Sequence, residues 1–281
     1  MPETQNDYPN AHLLVSPPAL ARELNEAGPD DLLVLDLRPP DAYSAGHLPG
    51  ALHLDLWGVS LIDTDPAPLK AFAWMIEHVL AGHGVKASTP VVVYDEQSGI
   101  RAARAFWFFE YFGHPSVRLL DGGFNAWTRE GLPVAQEARP AQTTEWTGTR
   151  DERTIATWRD VRAAIGRADT VILDTRSDEE FCGTLVRAKR GGRVPGAVHI
   201  EWTRNLTPTG HFKPVRELRA MYEEAGVAPD RPVITYCQGG YRAAHSYLAL
   251  RLLGYNVRTY IGSWKEWGDR EELPIEVPGR K

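Results

Sequence analysis

The chain has 281 residues, a net charge of −6, and 43% hydrophobic against 24% charged content, which suits a globular protein long enough for two cores. That net acidity argues against nucleic acid as the main partner. Its two cysteines, Cys182 and Cys237, are too few for a disulfide framework and have no metal-ligand spacing, so neither a metal nor an oxidising compartment is expected; the setting is read as cytoplasmic.

Taken in order, Met1–Asn10 is polar with no apolar targeting segment, and no run of about 18 apolar residues follows anywhere, so no membrane span is expected. Ser16 and Pro17 read as the cap and first position of a helix through Leu24. Leu32–Leu35 then reads as a strand, Phe72–Leu80 as a helix, Val91–Tyr94 as a strand behind Pro90, Ala102–Phe112 as a helix and Val117–Leu120 as a strand. The stretch 136–152 is polar, carries Pro140 and a Thr/Gly-rich run, and holds the linker. Beyond it the same order returns: helix Thr157–Ile165, strand Val171–Leu173, helix Val215–Ala225, strand Val233–Tyr236, a helix to Leu253 and strand Val257–Ile261.

The return is visible in the residues themselves. VLDLR at 34–38 recurs as ILDTR at 172–176, LPGALH at 48–53 as VPGAVH at 194–199, and VYD at 93–95 as TYC at 235–237. RAA at 101–103 matches 242–244, GGFNAW at 122–127 matches GSWKEW at 262–267, and Leu132 and Pro133 match Leu273 and Pro274. The chain is therefore a tandem duplication, with domains expected at 1–139 and 153–281 around a linker at 140–152. Strands alternating with helices predict an α/β fold in which each copy is a mostly parallel sheet covered by helices on both faces.

In the second copy the strand Val233–Tyr236 delivers Cys237 to the loop Gln238, Gly239, Gly240, Tyr241 and Arg242, and Ala243 follows in the helix that starts there. A strand, a glycine-bearing turn and a helix N-terminus let backbone N–H groups converge on the sulfur, and such a nest favours negative charge. Two glycines and an arginine are poor company for a cysteine that merely fills a core.

Comparing the copies separates their roles. Asp95 stands where Cys237 stands, in a loop one residue longer; a carboxylate carries no sulfur, and Asp95 with Glu96 is expected to spoil an anion nest, so the first copy reads as structural. The second copy spends eight more residues between its Asp-x-Arg and its Pro-Gly, and that insertion holds Arg187, Lys189, Arg190 and Arg193. One or more of Arg187, Arg190 and Arg193 is the candidate clamp on an anionic substrate; the plain alternative is a solvated basic loop. Asp36 with Arg38, and Asp174 with Arg176, occur in both copies and read as structural ion pairs, as Trp127 and Trp267 read as core aromatics. Cys182 reads as a small loop residue near the insertion.

The duplication, Asp95 facing Cys237, the six-residue loop 237–242, the repeated Asp-x-Arg and Pro-Gly-Ala segments and GSWKEW at 262 resemble the two-domain rhodanese sulfurtransferases over nearly the whole chain. The resemblance implies an inactive first copy and a Cys237 that cycles between thiolate and persulfide without a cofactor. It implies a small anionic sulfur donor and a thiophilic acceptor: cyanide, a small thiol or a protein thiol. The mercaptopyruvate branch typically has a Cys-Gly-x-Gly-Val-Thr loop, broken here by Gln238, Tyr241 and Arg242, and the cation that thiosulfate branches carry beside the cysteine is replaced by neutral Gln238. Arg242 and the basic insertion favour thiosulfate over 3-mercaptopyruvate. A cysteine phosphatase would need five residues between its cysteine and arginine, where this loop has four, and a regulatory module would have no reason to keep the cysteine in a well-formed nest.

Overall fold

A computed structural model describes residues 7–28 and 31–277; most of the polar N-terminal stretch and the last residues of the second expected domain lie outside them. After a short turn, the first copy runs β1 (Leu14–Val15), α1 (Pro17–Glu26), β2 (Leu33–Asp36), α2 (Pro40–Ala45), β3 (Leu52–His53) and α3 (Pro66–Gly82). It ends with β4 (Val91–Tyr94), α4 (Ile100–Tyr111), β5 (Val117–Leu120) and α5 (Gly123–Arg129). The second copy repeats this as β6 (Ile155–Ala156), α6 (Trp158–Ala164), β7 (Val171–Asp174), α7 (Asp178–Cys182), β8 (Val198–His199) and α8 (Val215–Glu224). It closes with β9 (Val233–Tyr236), α9 (Tyr241–Leu252), β10 (Val257–Tyr260) and α10 (Ser263–Trp267).

Each copy builds one five-stranded parallel sheet, ordered β1-β5-β4-β2-β3 in the first and β6-β10-β9-β7-β8 in the second. Strands β2, β4, β7 and β9 are buried along their whole length, which is why they read as continuous apolar runs. The edge strands have two residues each, too few to show any period, and the sequence does not reveal them. Helix α3 starts at Pro66 rather than Phe72, because prolines at the head of a helix fit its free N–H positions. Residues 136–151 carry no helix or strand; Thr144 and Asp151 tie them to the first copy through Ala81, Val85 and Tyr111.

The copies pack through α4 and α9, and one apolar cluster, holding Phe106, Trp107 and Phe109 with Tyr247, Leu248 and Leu250, runs across both. Helix α4 is consequently buried on nearly every side, including Arg104. Asp36–Arg38 and Asp174–Arg176 are ion pairs at 2.6 Å, each also bonded by a strand tyrosine, Tyr94 or Tyr236. Trp127 and Trp267 are buried and donate to Pro133 and Pro274. No helix among the described residues is long and apolar enough to cross a membrane.

At the end of the central strand of the first copy the structure corrects the sequence reading. Asp95 does not spoil an anion nest but fills one: its carboxylate accepts the N–H groups of Gly99 (2.9 Å), Arg101 (3.0 Å), Ala102 (3.0 Å) and Gln97 (3.3 Å). These include first-turn donors of α4 that have no acceptor within the helix. Gly99 is glycine because a Cβ there would lie 2.6 Å from the carboxylate. Burial pushes the Asp95 carboxyl up from 3.8 to about 6, while the N–H groups pull it back. An acid whose pKa is higher folded than unfolded binds its proton more tightly in the native state, so its contribution to stability falls as pH rises through that window. Denaturation curves should therefore show wild type losing stability relative to Asp95→Asn between pH 3.8 and about 6, and a constant difference above it. A difference that is flat or grows with pH contradicts this account of Asp95.

Candidate active site

Strand β9 lies in the middle of its sheet, between β7 and β10, and ends where ligands of parallel α/β sheets collect. The next residue, Cys237, is fixed at both backbone ends: its N–H donates to Ser263 Oγ (3.1 Å) and its carbonyl accepts from the Trp264 N–H (2.8 Å). Gly240, at φ +90°, reverses the chain so that its N–H donates to Cys237 Sγ at 3.1 Å. Helix α9 begins at Tyr241, and the N–H groups of Arg242 and Ala243 in its first turn correspond by position to the Arg101 and Ala102 donors that hold the Asp95 carboxylate. The sulfur, 99% buried with its residue, thus sits over a structure whose duplicate holds an anion.

Side chains of the loop lock it in place. Gln238 donates to the Arg187 carbonyl (2.8 Å), and the Tyr241 hydroxyl crosses to the first copy to bond the Leu56 carbonyl (2.6 Å). Gly239 faces Ser60 of the first copy. Arg242 meets the Glu180 carboxylate with two hydrogen bonds, 2.5 and 3.0 Å. Burial opposes both charges, yet the hydrogen-bonded pairing holds Glu180 below the ordinary carboxylate range, and Glu180 together with the nearby Cys237 sulfur holds Arg242 above its own. Arg242 therefore braces the loop against α7 with its charge largely met.

The insertion departs from the expectation of an arginine clamp at two of its three positions. Arg190 turns inward and donates to the carbonyls of Trp267 (3.0 Å), Gly268 (3.1 Å), Leu273 (2.9 Å) and Arg270, capping the end of α10. Arg193 is paired with Glu276 and lies 4.3 Å over the Phe181 ring. Both are structural because the insertion needs its own anchors to fold back on the domain. Arg187 is the remaining candidate, 56% exposed, with its Nε 3.8 Å from the Glu180 carboxylate. Cys182 is exposed at the end of α7.

Two residues of the site escape the sequence reading. Ser263 has φ +54°, the single non-glycine residue with positive φ among those described, at a cost of about 1–2 kcal/mol. Its counterpart Gly123 adopts φ +57° without that cost, so the serine is kept for its hydroxyl, which bonds both Cys237 and the Tyr260 carbonyl (2.8 Å). The signal was the GS of 262–263 against the GG of 122–123. The other is Arg104 of α4, fully buried beside Gly240 with no hydrogen-bond partner for any guanidinium nitrogen among the described residues. It lies one residue beyond the repeated RAA, where the second copy has His245. A cleft of about 400 Å³ between Glu110, Asp151, Arg251 and Tyr255 lies at the far ends of α4 and α9 from Cys237.

Comparison with known proteins agrees with this geometry. The model of the Rhodanese-like domain matches residues 16–130 and again 157–270. The chain is 33% identical to a thiosulfate sulfurtransferase of Azotobacter vinelandii, over 97% of this chain and all of that one. It is 35% identical to the sulfur carrier protein TtuD of Thermus thermophilus, over 83% of this chain and 86% of the other. Among solved structures, an anaerobic ergothioneine biosynthesis enzyme from Chlorobium limicola superposes with a TM-score of 0.84 at 23% identity, covering 96% of this chain and 71% of that one, a likeness of fold. Two such domains in tandem, matched to relatives over nearly their whole length, place the chain in the rhodanese family, as a two-domain sulfurtransferase.

Proposed function

We propose that the second copy, residues 153–281, moves a sulfane sulfur from thiosulfate to a thiophilic acceptor through a persulfide on Cys237, and that the first copy, residues 1–139, is its scaffold across the linker 140–152. The observation that carries this reading is the Gly240 N–H on Cys237 Sγ, in a loop whose duplicate seats the Asp95 carboxylate. The Cys237 thiolate attacks the outer sulfur of thiosulfate; the S–S bond to the sulfonate sulfur breaks and sulfite leaves with the electron pair. Negative charge now rests on the outer sulfur of the persulfide, and the loop N–H groups are the fixed donors that receive it. Cyanide or a thiol then takes that sulfur and returns Cys237 as thiolate.

Thiosulfate is preferred to 3-mercaptopyruvate because the insertion leaves one exposed and only loosely paired guanidinium at the rim, Arg187, 3.8 Å from Glu180, while Arg190, Arg193 and Arg242 are engaged by hydrogen bonds. A keto acid needs a carboxylate clamp as well as a sulfur nest; the smaller dianion needs one cation. The relatives named thiosulfate sulfurtransferase support the same donor. An unpaired, buried thiol that must stay reduced suits the cytoplasm.

Initial rates with each donor and cyanide as acceptor test the proposal. Thiosulfate should turn over faster than mercaptopyruvate, Cys237→Ser should abolish transfer, and Cys182→Ser should leave most of it. Arg187→Gln should raise KM for thiosulfate with kcat nearly unchanged, since a charge-assisted hydrogen bond of about 1.5–3 kcal/mol corresponds to roughly ten- to a hundredfold. Turnover by Cys237→Ser, or faster transfer from mercaptopyruvate, contradicts the assignment.

A further inference from the structure

The two copies reach into each other in a pseudo-symmetric way. From α9, His245 extends to the loop of the first copy, where its Nε2 meets the Ser98 carbonyl at 2.8 Å and its Nδ1 meets the Asn205 side-chain amide at 3.3 Å. Burial pushes this imidazole down to about 4, so the residue serving the silent loop is neutral and has a partner for each ring nitrogen. From α4, the corresponding residue Arg104 extends to the loop of Cys237. It is a cation, 0% exposed, and Nε, Nη1 and Nη2 have no hydrogen-bond partner among the described residues.

Several features show that Arg104 is aimed at the nest. A Cβ on Gly240 would lie 2.3 Å from Arg104 Nη1, so glycine at that position both permits φ +90° and admits the guanidinium against the loop. The same Gly240 donates its N–H to Cys237 Sγ. Arg104 is within electrostatic reach of Cys237, and burial lowers its own pKa only to about 10, leaving it charged at neutral pH. Rings of Trp107, Phe108 and Tyr241 surround it with centroids 4.7–5.3 Å from Cζ, which offsets part of its desolvation without supplying an anion. A buried charge without a counter-ion is costly, and a chain of apolar residues would fill the space more stably.

We propose that Arg104, supplied by the copy that has no cysteine, is the fixed counter-charge of the Cys237 sulfur, a positioning cation that holds the loop ready for an anionic sulfur. This deepens the persulfide reading and rests on it for its purpose, though not for its test. It also gives the first copy a part in the chemistry, because its helix delivers the charge that the second copy lacks at the equivalent place.

The test is alkylation of Cys237 at neutral pH in the full chain carrying Cys182→Ser, comparing anionic iodoacetate with neutral iodoacetamide. The ratio of the two rates reports the field at the sulfur and needs no sulfur donor. Arg104→Met should lower the ratio about tenfold or more, the scale of one charge-assisted contact, while its thermal midpoint stays level or rises. Arg104→Lys should keep most of the ratio. Should Arg104→Met fail to fold, Arg104→Gln set against Arg104→Lys makes the same comparison. A ratio unmoved in the neutral variants overturns the proposal even if wild type transfers sulfur. A ratio that falls in a protein without transfer activity upholds the charge assignment and refutes the persulfide reading instead.

Discussion

The structure depends on one constraint: the first N–H groups of a buried helix that follows a central strand must be given an acceptor. Both copies place α4 or α9 directly behind such a strand, in the interior, where water cannot serve. The first copy meets the demand permanently with the Asp95 carboxylate, tethered at the strand's end and accepting from four N–H groups. The second places a smaller, softer atom there, Cys237 Sγ, reached by the Gly240 N–H. A loop one residue shorter and a side chain one atom shorter distinguish the second copy's sulfur from the carboxylate that fills the nest of the first.

Around this nest, charge is mostly cancelled rather than gathered. Arg242 is matched by Glu180, Arg193 by Glu276, and Arg190 by the carbonyls at the end of α10. Such pairing makes the loop rigid, and rigidity is what fixed backbone donors require. Arg187 at the rim is exposed and only loosely paired, 3.8 Å from Glu180, and Arg104 below the loop is buried with no hydrogen-bond partner among the described residues. Ser263 adds a strained backbone turn that pins the Cys237 N–H, so the cysteine cannot relax away from its donors.

Much of this was legible in the sequence because it is written twice. The repeated VLDLR and ILDTR segments give the strands and their ion pairs, and TYC against VYD marks the copy with the sulfur. The fold class and the position of Cys237 behind Tyr236 follow from those runs. What stayed hidden depends on distance along the chain. A basic insertion looks the same whether its arginines face solvent or backbone carbonyls, and Arg190 meets carbonyls some eighty residues away. Arg104 needed the packing of α4 on α9, which no local pattern announces. Asp95 was misread because its acidity was weighed as repulsion of a ligand, when the carboxylate is itself the ligand.

The central claim is that one anionic sulfur is seated on Cys237 and nowhere else. Intact-protein mass after incubation with thiosulfate and removal of small molecules measures it most directly. The account predicts a gain of one sulfur atom per chain, mapped to the peptide containing Cys237 and removed by cyanide. A stable adduct on Cys182, or a disulfide between Cys182 and Cys237 formed during turnover, would contradict it.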